Sequence, residues 1–304
     1  MSVSVLPAAG GNIAAIVDRR SGRNWLWSNP HIPITAPRSG QNYGRDLDSG
    51  GWDEILLSIA PDALELPAQR TRQIADHGDL VRQQWSVVDS ASSLPHCELR
   101  VSGQLLKYDF RRAIELDRDE PQMYVRYALT NHEEFAWPWY WCAHALIDVQ
   151  PGMQIELPAA QPFRVDHAKD DLNLEERMRS WPDLDLADDI TVDLSNSFPS
   201  GNVDRNFASK IFVESPANGS VLVTAPGKTE SLTMLFDRRE LPWLGLWINN
   251  KGWSGCDSEP HLNLGLEPGT TPYDSVVEAV DHDAIAWLRP GETRNWSLTV
   301  ELAA

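Results

Sequence analysis

The chain has 304 residues, enough to bury a large hydrophobic core, and its formal net charge at pH 7 is -18. A strongly acidic chain without a clustered basic face is a poor partner for nucleic acid or for an anionic membrane surface. No stretch is long enough and free enough of charge to span a bilayer, and the first residues lack the basic and apolar segments of a secretory signal. We therefore expect a cytoplasmic protein that acts without nucleic acid or a membrane.

Three widely separated cysteines, Cys97, Cys142 and Cys256, have no paired spacing, which argues against a disulfide framework and a zinc ribbon. No linker, low-complexity tract or fixed-period repeat divides the chain. Because all-β sandwiches often reach this length as one unit, we expect a single domain over residues 1–304. We leave open whether the chain forms a homodimer.

The first quarter of the chain predicts a short strand at residues 13–17 and then a long polar loop. The loop runs into Gly50-Gly51-Trp52-Asp53-Glu54, where two glycines let the backbone approach another group closely and present an aromatic side chain and two acids. A glycine turn with a capping acid explains this segment equally well. Further on, Asp76-His77-Gly78 predicts a turn whose histidine faces solvent or a cleft.

Successive strands are predicted at residues 98–102, 105–116 and 123–130, the last with a clear period of two. The stretch 137–158 then predicts two strands joined by a tight turn at Pro151-Gly152. His144 lies within this stretch, after a run of aromatic residues. It is either a catalytic acid or base or a half-buried structural histidine.

The second half begins with an acidic region. Residues 170–179 predict a short helix with acids at its N-terminal end. A solvated loop explains the cluster of five aspartates that follows, and a calcium site is disfavoured because the EF-hand spacing is missing. Many short strands with turns between them and almost no helix predict an all-β sandwich or barrel. The cluster consists of Asp183, Asp185, Asp188, Asp189 and Asp193, and the later strands are 210–214, 219–224, 230–236, 244–249 and 294–302.

The chain has thirteen tryptophans, whose flat apolar faces suit stacking against a sugar ring. More than half should belong to the core, but Trp52, Trp141 and Trp247 lie beside polar residues. Glu267 precedes a proline at a predicted strand end, which biases its backbone towards an extended conformation. Against aromatic walls, desolvation should raise the pKa of such a carboxyl group and make it a better general base.

Several motifs occur in an order that resembles the aldose 1-epimerase (galactose mutarotase-like) superfamily, over roughly residues 50–280. This resemblance implies a large antiparallel β-supersandwich, a cleft on one sheet, no metal and no cofactor. It also implies a small-molecule sugar as the partner, with interconversion of the α and β anomers of a free aldose. The motifs are Gly50-Gly-Trp-Asp-Glu54, Asp76-His-Gly78, Asn131-His132, Trp141-x-x-His144, Pro151-Gly152, Ile155-x-Leu-Pro158, Leu244-Gly-Leu-Trp247 and Leu266-Glu-Pro268.

Carried over to matching positions, the resemblance implies that Glu267 is the general base for the C1 hydroxyl and that His144 is the general acid for the ring oxygen. His77 corresponds to a second histidine that hydrogen-bonds the sugar. The family's tyrosine-containing motif after Asn-His is absent here, so His132 stays an alternative to His144. The candidates for sugar binding are Arg45, Trp52, Asp53, Glu54, Trp141, Trp247 and Asn249.

Three functions follow from these residues. The first is a mutarotase for an unmodified or uronate-type aldose; a phosphorylated sugar would need arginines, for which Arg45, Arg70 and Arg72 are the candidates. The second is a non-catalytic carbohydrate-binding or sensing protein on the same fold. The third is another sugar activity of the same fold, such as a lyase or a hydrolase; a hydrolase would need two facing carboxylates such as Glu54 and Glu267.

Overall fold

The computed structural model describes residues 1–88, 96–168, 178–186, 190–198, 206–256 and 259–304. Within these ranges the chain consists mostly of strands that pair antiparallel, and two large sheets dominate the fold. The predicted all-β class and the large antiparallel sandwich are confirmed. The short helix predicted at 170–179 lies mainly outside the described residues.

Among the described residues, the larger sheet has nine strands and contains the strands that carry most of the polar candidates. In spatial order they are β1 (Ser2–Leu6), β2 (Asn12–Val17), β3 (Trp52–Leu56), β11 (Trp141–Asp148), β21 (Leu262–Gly269), β20 (Trp243–Asn250), β17 (Phe207–Glu214), β13 (Pro162–Ala168) and β14 (Met178–Ser180).

The second sheet has eight strands within the described ranges. In spatial order they are β12 (Gln154–Glu156), β18 (Ser220–Thr224), β19 (Ser231–Phe236), β23 (Thr293–Ala303), β9 (Gln122–Asn131), β8 (Tyr108–Leu116), β7 (His96–Ser102) and β6 (Ser86–Val88).

Small elements complete the described fold. A six-residue helix, α1 (Val276–Asp281), follows β21. No helix in the described part of the chain has the length and apolar character that a membrane crossing requires. The two-stranded pairs are β4 (Asp62–Leu66) with β5 (Arg70–Ile74), β10 (Trp137–Pro138) with β22 (Trp287–Leu288), and β15 (Asp183–Leu186) with β16 (Ile190–Asp193). The helical segments are α1 (Val276–Asp281), Tyr43–Leu47, Leu80–Arg82, Leu194–Asn196 and Pro226–Lys228.

The core lies between the two large sheets, and the alternation of buried and exposed side chains along each strand shows why. In β9, Met123, Val125, Tyr127 and Leu129 are buried, and the residues between them are more exposed. Successive side chains in a strand point to opposite faces, so one face of each large sheet packs inward and the other is available for a site. We call the face of the nine-stranded sheet that points away from the second sheet its outer face.

The stretch 137–158 differs from its predicted hairpin. A turn does occur at residues 151–152, but β11 belongs to the nine-stranded sheet and β12 to the eight-stranded sheet. The prediction of paired strands was wrong because β3 and β21 occupy both hydrogen-bonding edges of β11. The turn therefore forms a corner between the sheets.

Candidate functional site

Four neighbouring strands place polar side chains on the outer face of the nine-stranded sheet. On β11 this face presents His144, and on β21 it presents Glu267. On β17 and β20 it presents Lys210 and Trp247, which are direct cross-strand partners. The pairing of these adjacent strands therefore brings together residues that lie far apart in the sequence.

These side chains border a cavity of about 260 Å³. Ligand sites in proteins are commonly about 300–1,000 Å³, so this cavity suits a small ligand. Its lining combines aromatic and aliphatic walls with ionisable groups. The lining residues are Tyr43, Gly44, Asp48, Ile59, Asp76, His77, His144, Leu146, Lys210, Trp247, Trp253, Asn263, Glu267 and Asp274.

Glu267 and His144 face each other across the β11–β21 pair. The Nε2 atom of His144 lies 3.7 Å from Oε1 of Glu267, and both side chains are almost fully buried. The other carboxylate oxygen, Oε2, accepts a hydrogen bond from the Nζ atom of Lys210. One oxygen of Glu267 is thus held by an ammonium group, and the other points towards the imidazole.

Lys210 changes the acidity expected for Glu267. Burial alone would raise the pKa of the Glu267 carboxyl group, but the Lys210 ammonium holds it below its ordinary value. The expectation of a raised pKa was therefore wrong, because sequence alone did not place a cation beside this carboxylate. Burial raises the pKa of the nearby Asp274 to about 6, against the opposing effect of Lys210.

His144 is neutral at pH 7. Burial lowers its pKa to about 3, because a charged imidazolium would lose its hydration, and the Glu267 carboxylate only partly opposes this effect. A neutral imidazole still carries one N–H and can stabilise negative charge that develops on an oxygen. His144 is therefore suited to donating a hydrogen bond.

His77 reaches the cavity from the loop that follows β5. Its ring stacks on Tyr43 with the ring centroids 3.6 Å apart, and it lies edge-on to His144 at 5.1 Å. Its Nδ1 atom lies 2.9 Å from Oδ1 of Asp76, so Nε2 is left for the cavity. The Tyr43 hydroxyl donates to Asp53, which also accepts from an asparagine side chain. Asp53 thus supports the wall behind His77, and it does not line the cavity.

A glycine fixes the position of His77. Gly78 has φ +69°, and a Cβ atom there would overlap the carbonyl oxygen of Leu56. The backbone N–H of His77 also donates to the carbonyl of Ile59 at 2.7 Å, so the turn is tied to the segment after β3. Since only glycine combines this φ with this close approach, the turn depends on Gly78.

We expect Gly78→Ala to destabilise the protein more than Gly22→Ala. Gly22 has φ +80° with nothing within 4 Å of a Cβ atom, so alanine there should cost only the left-handed backbone penalty of about 1–2 kcal/mol. Gly78→Ala adds overpacking, about 1–3 kcal/mol more. Urea unfolding of both variants measures the difference, and equal costs would contradict the close approach.

Trp247 and Trp253 form an aromatic wall of the cavity. Their rings meet edge-on with the centroids 5.6 Å apart. Asn249 shapes the turn that presents Trp253: its side-chain oxygen accepts from the backbone N–H groups of Gly252 and Trp253, and its amide donates to the Trp253 carbonyl. Asn249 therefore supports the wall from below, and it is not among the lining residues.

Three predicted sugar-binding residues lie instead in the core. Glu54 accepts hydrogen bonds from Arg112 and Tyr127 of the second sheet. Trp141 packs on Tyr127 at 4.8 Å, and Trp52 is completely buried. The prediction that they lie in the cleft was wrong. In β3, alternation turns the side chains of residues 52 and 54 towards the core, whereas Asp53 faces outward. The hydrolase arrangement of Glu54 beside Glu267 is consequently not made.

Two other candidates are exposed. Arg45 pairs with its neighbour Asp46, its side chain is 63% exposed, and it does not line the cavity. His132 lies at the end of β9 in the second sheet, 3.4 Å from Asp109, so it is not an alternative to His144 in this cavity.

The remaining sequence candidates lie elsewhere. Arg70 stacks over the Phe135 ring and Arg72 donates to a backbone carbonyl, so neither lines the cavity. In the acidic cluster, Asp188 and Asp189 fall outside the described residues. Among those that are described, no group of three or more histidine, cysteine, aspartate or glutamate side chains is arranged to hold a metal ion.

Sequence reasoning missed several lining residues. Lys210 is a single charge in the strand Lys210-Ile-Phe-Val, and Tyr43 lies in the long polar loop, where no pattern marks it. Asp274 follows Thr-Thr-Pro-Tyr and looks like an ordinary turn residue. Only the folded structure shows that Asp274 belongs to the site. Its backbone carbonyl accepts hydrogen bonds from the N–H groups of Ile59 and Ala60, and these bonds hold the Asp274 loop beside β3.

No protein-family model matches the chain, and no curated protein matches it. Solved structures do match over 99% of the chain. A galactose mutarotase related enzyme from Lactobacillus acidophilus is 12% identical, with a TM-score of 0.67 and 94% of its own length covered. A galactose mutarotase-like protein from Lactobacillus casei is 14% identical, with a TM-score of 0.64 and 96% covered.

A third structure is that of a protein from Escherichia coli K12 for which aldose 1-epimerase is a provisional assignment. It is 16% identical to this chain, with a TM-score of 0.65 and 95% of its length covered. At such identities the similarity establishes the fold alone. The described chain has the galactose mutarotase-like β-sandwich fold, as the sequence motifs predicted.

Proposed function

We propose that the protein is an aldose 1-epimerase-like mutarotase, which interconverts the α and β anomers of a free aldose by acid–base catalysis. The observation that carries this proposal is the 3.7 Å between Oε1 of Glu267 and Nε2 of His144 on the cavity wall. In a cyclic aldose, the oxygen of the C1 hydroxyl group and the ring oxygen are both bonded to C1. The two groups that act on them must therefore be close neighbours.

The proposed reaction moves one proton from the C1 hydroxyl to the ring oxygen. Glu267 accepts the hydroxyl proton, the bond between C1 and the ring oxygen breaks, and its electron pair goes to that oxygen. The N–H of neutral His144 stabilises the charge there, and the proton held by Glu267 passes to the ring oxygen. Rotation about C1–C2 and reversal of these steps close the ring on the other face of C1.

His77 is proposed as a second hydrogen-bonding group at the sugar, held by Asp76 and by stacking on Tyr43. Trp247 and Trp253 supply the apolar surface against which the C–H face of a sugar ring packs. Compared with the roles implied by the family resemblance, the burial of His144 favours a neutral hydrogen-bond donor over an imidazolium acid.

The charges around the cavity favour a sugar without an anionic substituent. Four carboxylate side chains line it, those of Asp48, Asp76, Glu267 and Asp274, against the single lysine Lys210. Among the described lining residues there is no arginine to pair with a phosphate or uronate. At an effective dielectric constant near 20, two like charges 4 Å apart repel by about 4 kcal/mol. We expect neutral aldoses to be exchanged at least about tenfold faster, in kcat/KM, than matched anionic sugars.

Saturation-transfer NMR of anomer exchange tests both statements. The panel pairs neutral aldoses with glucose 6-phosphate and glucuronate, and each rate is corrected for catalysis by the buffer and by an equal concentration of inorganic phosphate. Faster exchange of an anionic sugar would contradict the charge argument and leave the mutarotase proposal standing. Line broadening from binding, with no acceleration for any sugar, would overturn the mutarotase and favour the carbohydrate-binding alternative.

A further inference from the structure

Lys210 is a buried lysine in the cavity wall, and the family resemblance gives it no role. Its side chain is only 4% exposed. Besides its hydrogen bond to Oε2 of Glu267, its Nζ atom lies 3.5 Å from Oδ1 of Asp274. A buried charge is costly unless it is paired, and here one ammonium lies between two carboxylates.

The lysine reaches Glu267 across an intervening strand. Lys210 is on β17 and Glu267 on β21, with β20 between them. The β20 residue directly opposite Glu267 is Gly245, and a Cβ atom there would lie 3.1 Å from the Glu267 Cβ and 3.3 Å from the Phe212 ring. The glycine thus adds no side chain between Glu267 and the Phe212 ring, and the Nζ atom of Lys210 lies 5.2 Å from the centroid of that ring.

We propose that Lys210 is a positioning residue for the general base: its ammonium group holds Oε2 of Glu267, so that Oε1 faces His144 and the substrate. Asp274 is the second carboxylate that holds the ammonium in place between β17 and the loop after β21. The inference rests on the proposed function, in which Glu267 is the base. Lys210 thus affects the reaction only through the position and the charge of Glu267.

The ionisation states agree with this geometry. Burial would lower the pKa of Lys210, but Asp274 and Glu267 raise it well above its ordinary value. A lysine held as ammonium is no nucleophile, so Lys210 does not form a Schiff base with the open-chain aldehyde. The other titratable side chains that face the cluster, from every element packed against it, are His77, Tyr140, Cys142, His144 and Asp166.

The first test is the pH dependence of Lys210→Met, with Lys228→Met as a matched control. Lys228 is a surface lysine, 66% exposed and paired with Glu156. Glu267 acts as a base only when it is ionised, so activity falls as the pH drops through its pKa. An adjacent cation lowers a carboxyl pKa by about 1–3 units, so its loss should move the acidic limb of kcat/KM upward by about that amount. Lys228→Met should leave the profile unchanged.

A second readout separates this inference from the proposed function. The carboxyl carbon of Glu267, labelled with ¹³C and assigned by its loss in Glu267→Gln, is titrated by NMR in the wild type and in Lys210→Met. An upward shift supports the positioning role even if no sugar is exchanged. An unchanged titration in a folded variant overturns it, even if the wild type is an active mutarotase.

Two further variants keep the test decisive if Lys210→Met does not fold. Lys210→Arg retains the positive charge, so the acidic limb of its kcat/KM profile should stay near the wild-type pH. The larger guanidinium group should reduce kcat. Asp274→Asn is the control: burial raises the pKa of Asp274 to about 6, so this group is already neutral where Glu267 titrates, and the acidic limb should stay at the wild-type pH. An acidic limb that moves up in Lys210→Arg by about 1–3 pH units, although the charge is retained, would overturn the proposal.

Discussion

Glu267→Gln is expected to abolish most of the anomer exchange while sugar binding persists. Glutamine has the same shape as glutamate and can still accept a hydrogen bond from Lys210, but it cannot take the proton of the C1 hydroxyl. One general acid–base group typically contributes about 10²–10⁴-fold to a rate, so the loss of exchange should fall in that range. Saturation-transfer NMR on the best neutral aldose measures the loss.

Binding is followed separately through the fluorescence of Trp247 and Trp253, which line the cavity. The control is Glu156→Gln, a surface carboxylate paired with Lys228 outside the cavity, which should exchange sugars at the wild-type rate. Retention of wild-type exchange by Glu267→Gln would place the base elsewhere. Loss of binding together with exchange would mean that Glu267 mainly holds the sugar.

The second large effect is expected for stability, from Arg112→Met in the core. Arg112 is fully buried, donates to Glu54 at 3.0 Å and also hydrogen-bonds the carbonyl of Gly11. Removing one partner of a buried ion pair typically costs about 3–5 kcal/mol, because the other charge is left uncompensated. Urea unfolding measures this cost. Arg111→Met, at the neighbouring exposed position on β8, is the control and should change stability by less than about 0.5 kcal/mol.

The cost should also depend on pH, with a defined sign. Burial raises the pKa of Glu54 to about 7, despite the opposing charge of Arg112. A carboxyl group whose pKa is higher in the folded than in the unfolded state binds more protons when folded, so stability falls as the pH rises between the two values. Without Arg112 the folded pKa rises further. The loss of unfolding free energy in Arg112→Met should therefore be larger at pH 8 than at pH 5. A loss that does not depend on pH would contradict the role of Glu54.

The double variant Glu54→Gln, Arg112→Met provides a further check. It removes both charges, and pairs replaced together often cost little. We expect it to be more stable than Arg112→Met alone at pH 8. If it is less stable, the arginine contributes mainly through its contact with Gly11 or its packing over the Trp85 ring, and not through the ion pair.

The period of two along the strands was enough to predict the sheet sandwich, as β9 illustrates. Sequence could not show whether the odd- or the even-numbered residues of β3 face outward. Trp52, Asp53 and Glu54 were therefore all predicted to bind the sugar, although of these three only Asp53 faces outward. The difference is a shift of one residue, which turns every side chain of a strand to the other face. The hydrophobicity of β3 does not resolve it, since all five of its residues are buried.

The missed part of the site depends on contacts between distant strands. Lys210 and Glu267 are 57 residues apart, and their contact depends on the strand order β21, β20, β17. Because no local pattern marks that order, the raised pKa expected for Glu267 was wrong in sign. Tyr43 likewise joins the site only because its loop folds back to Asp53 and His77.

The position of β11 between β3 and β21 has a consequence for folding kinetics. Each of its pairings joins segments far apart in the chain, so the ordering entropy is lost before the contacts that compensate for it are complete. Antiparallel folds dominated by such non-local pairs typically fold in milliseconds to seconds. His144, Glu267 and Lys210 meet only after three distant segments have docked. We therefore expect the cavity to form late in folding, and its ligand to bind only the completed fold.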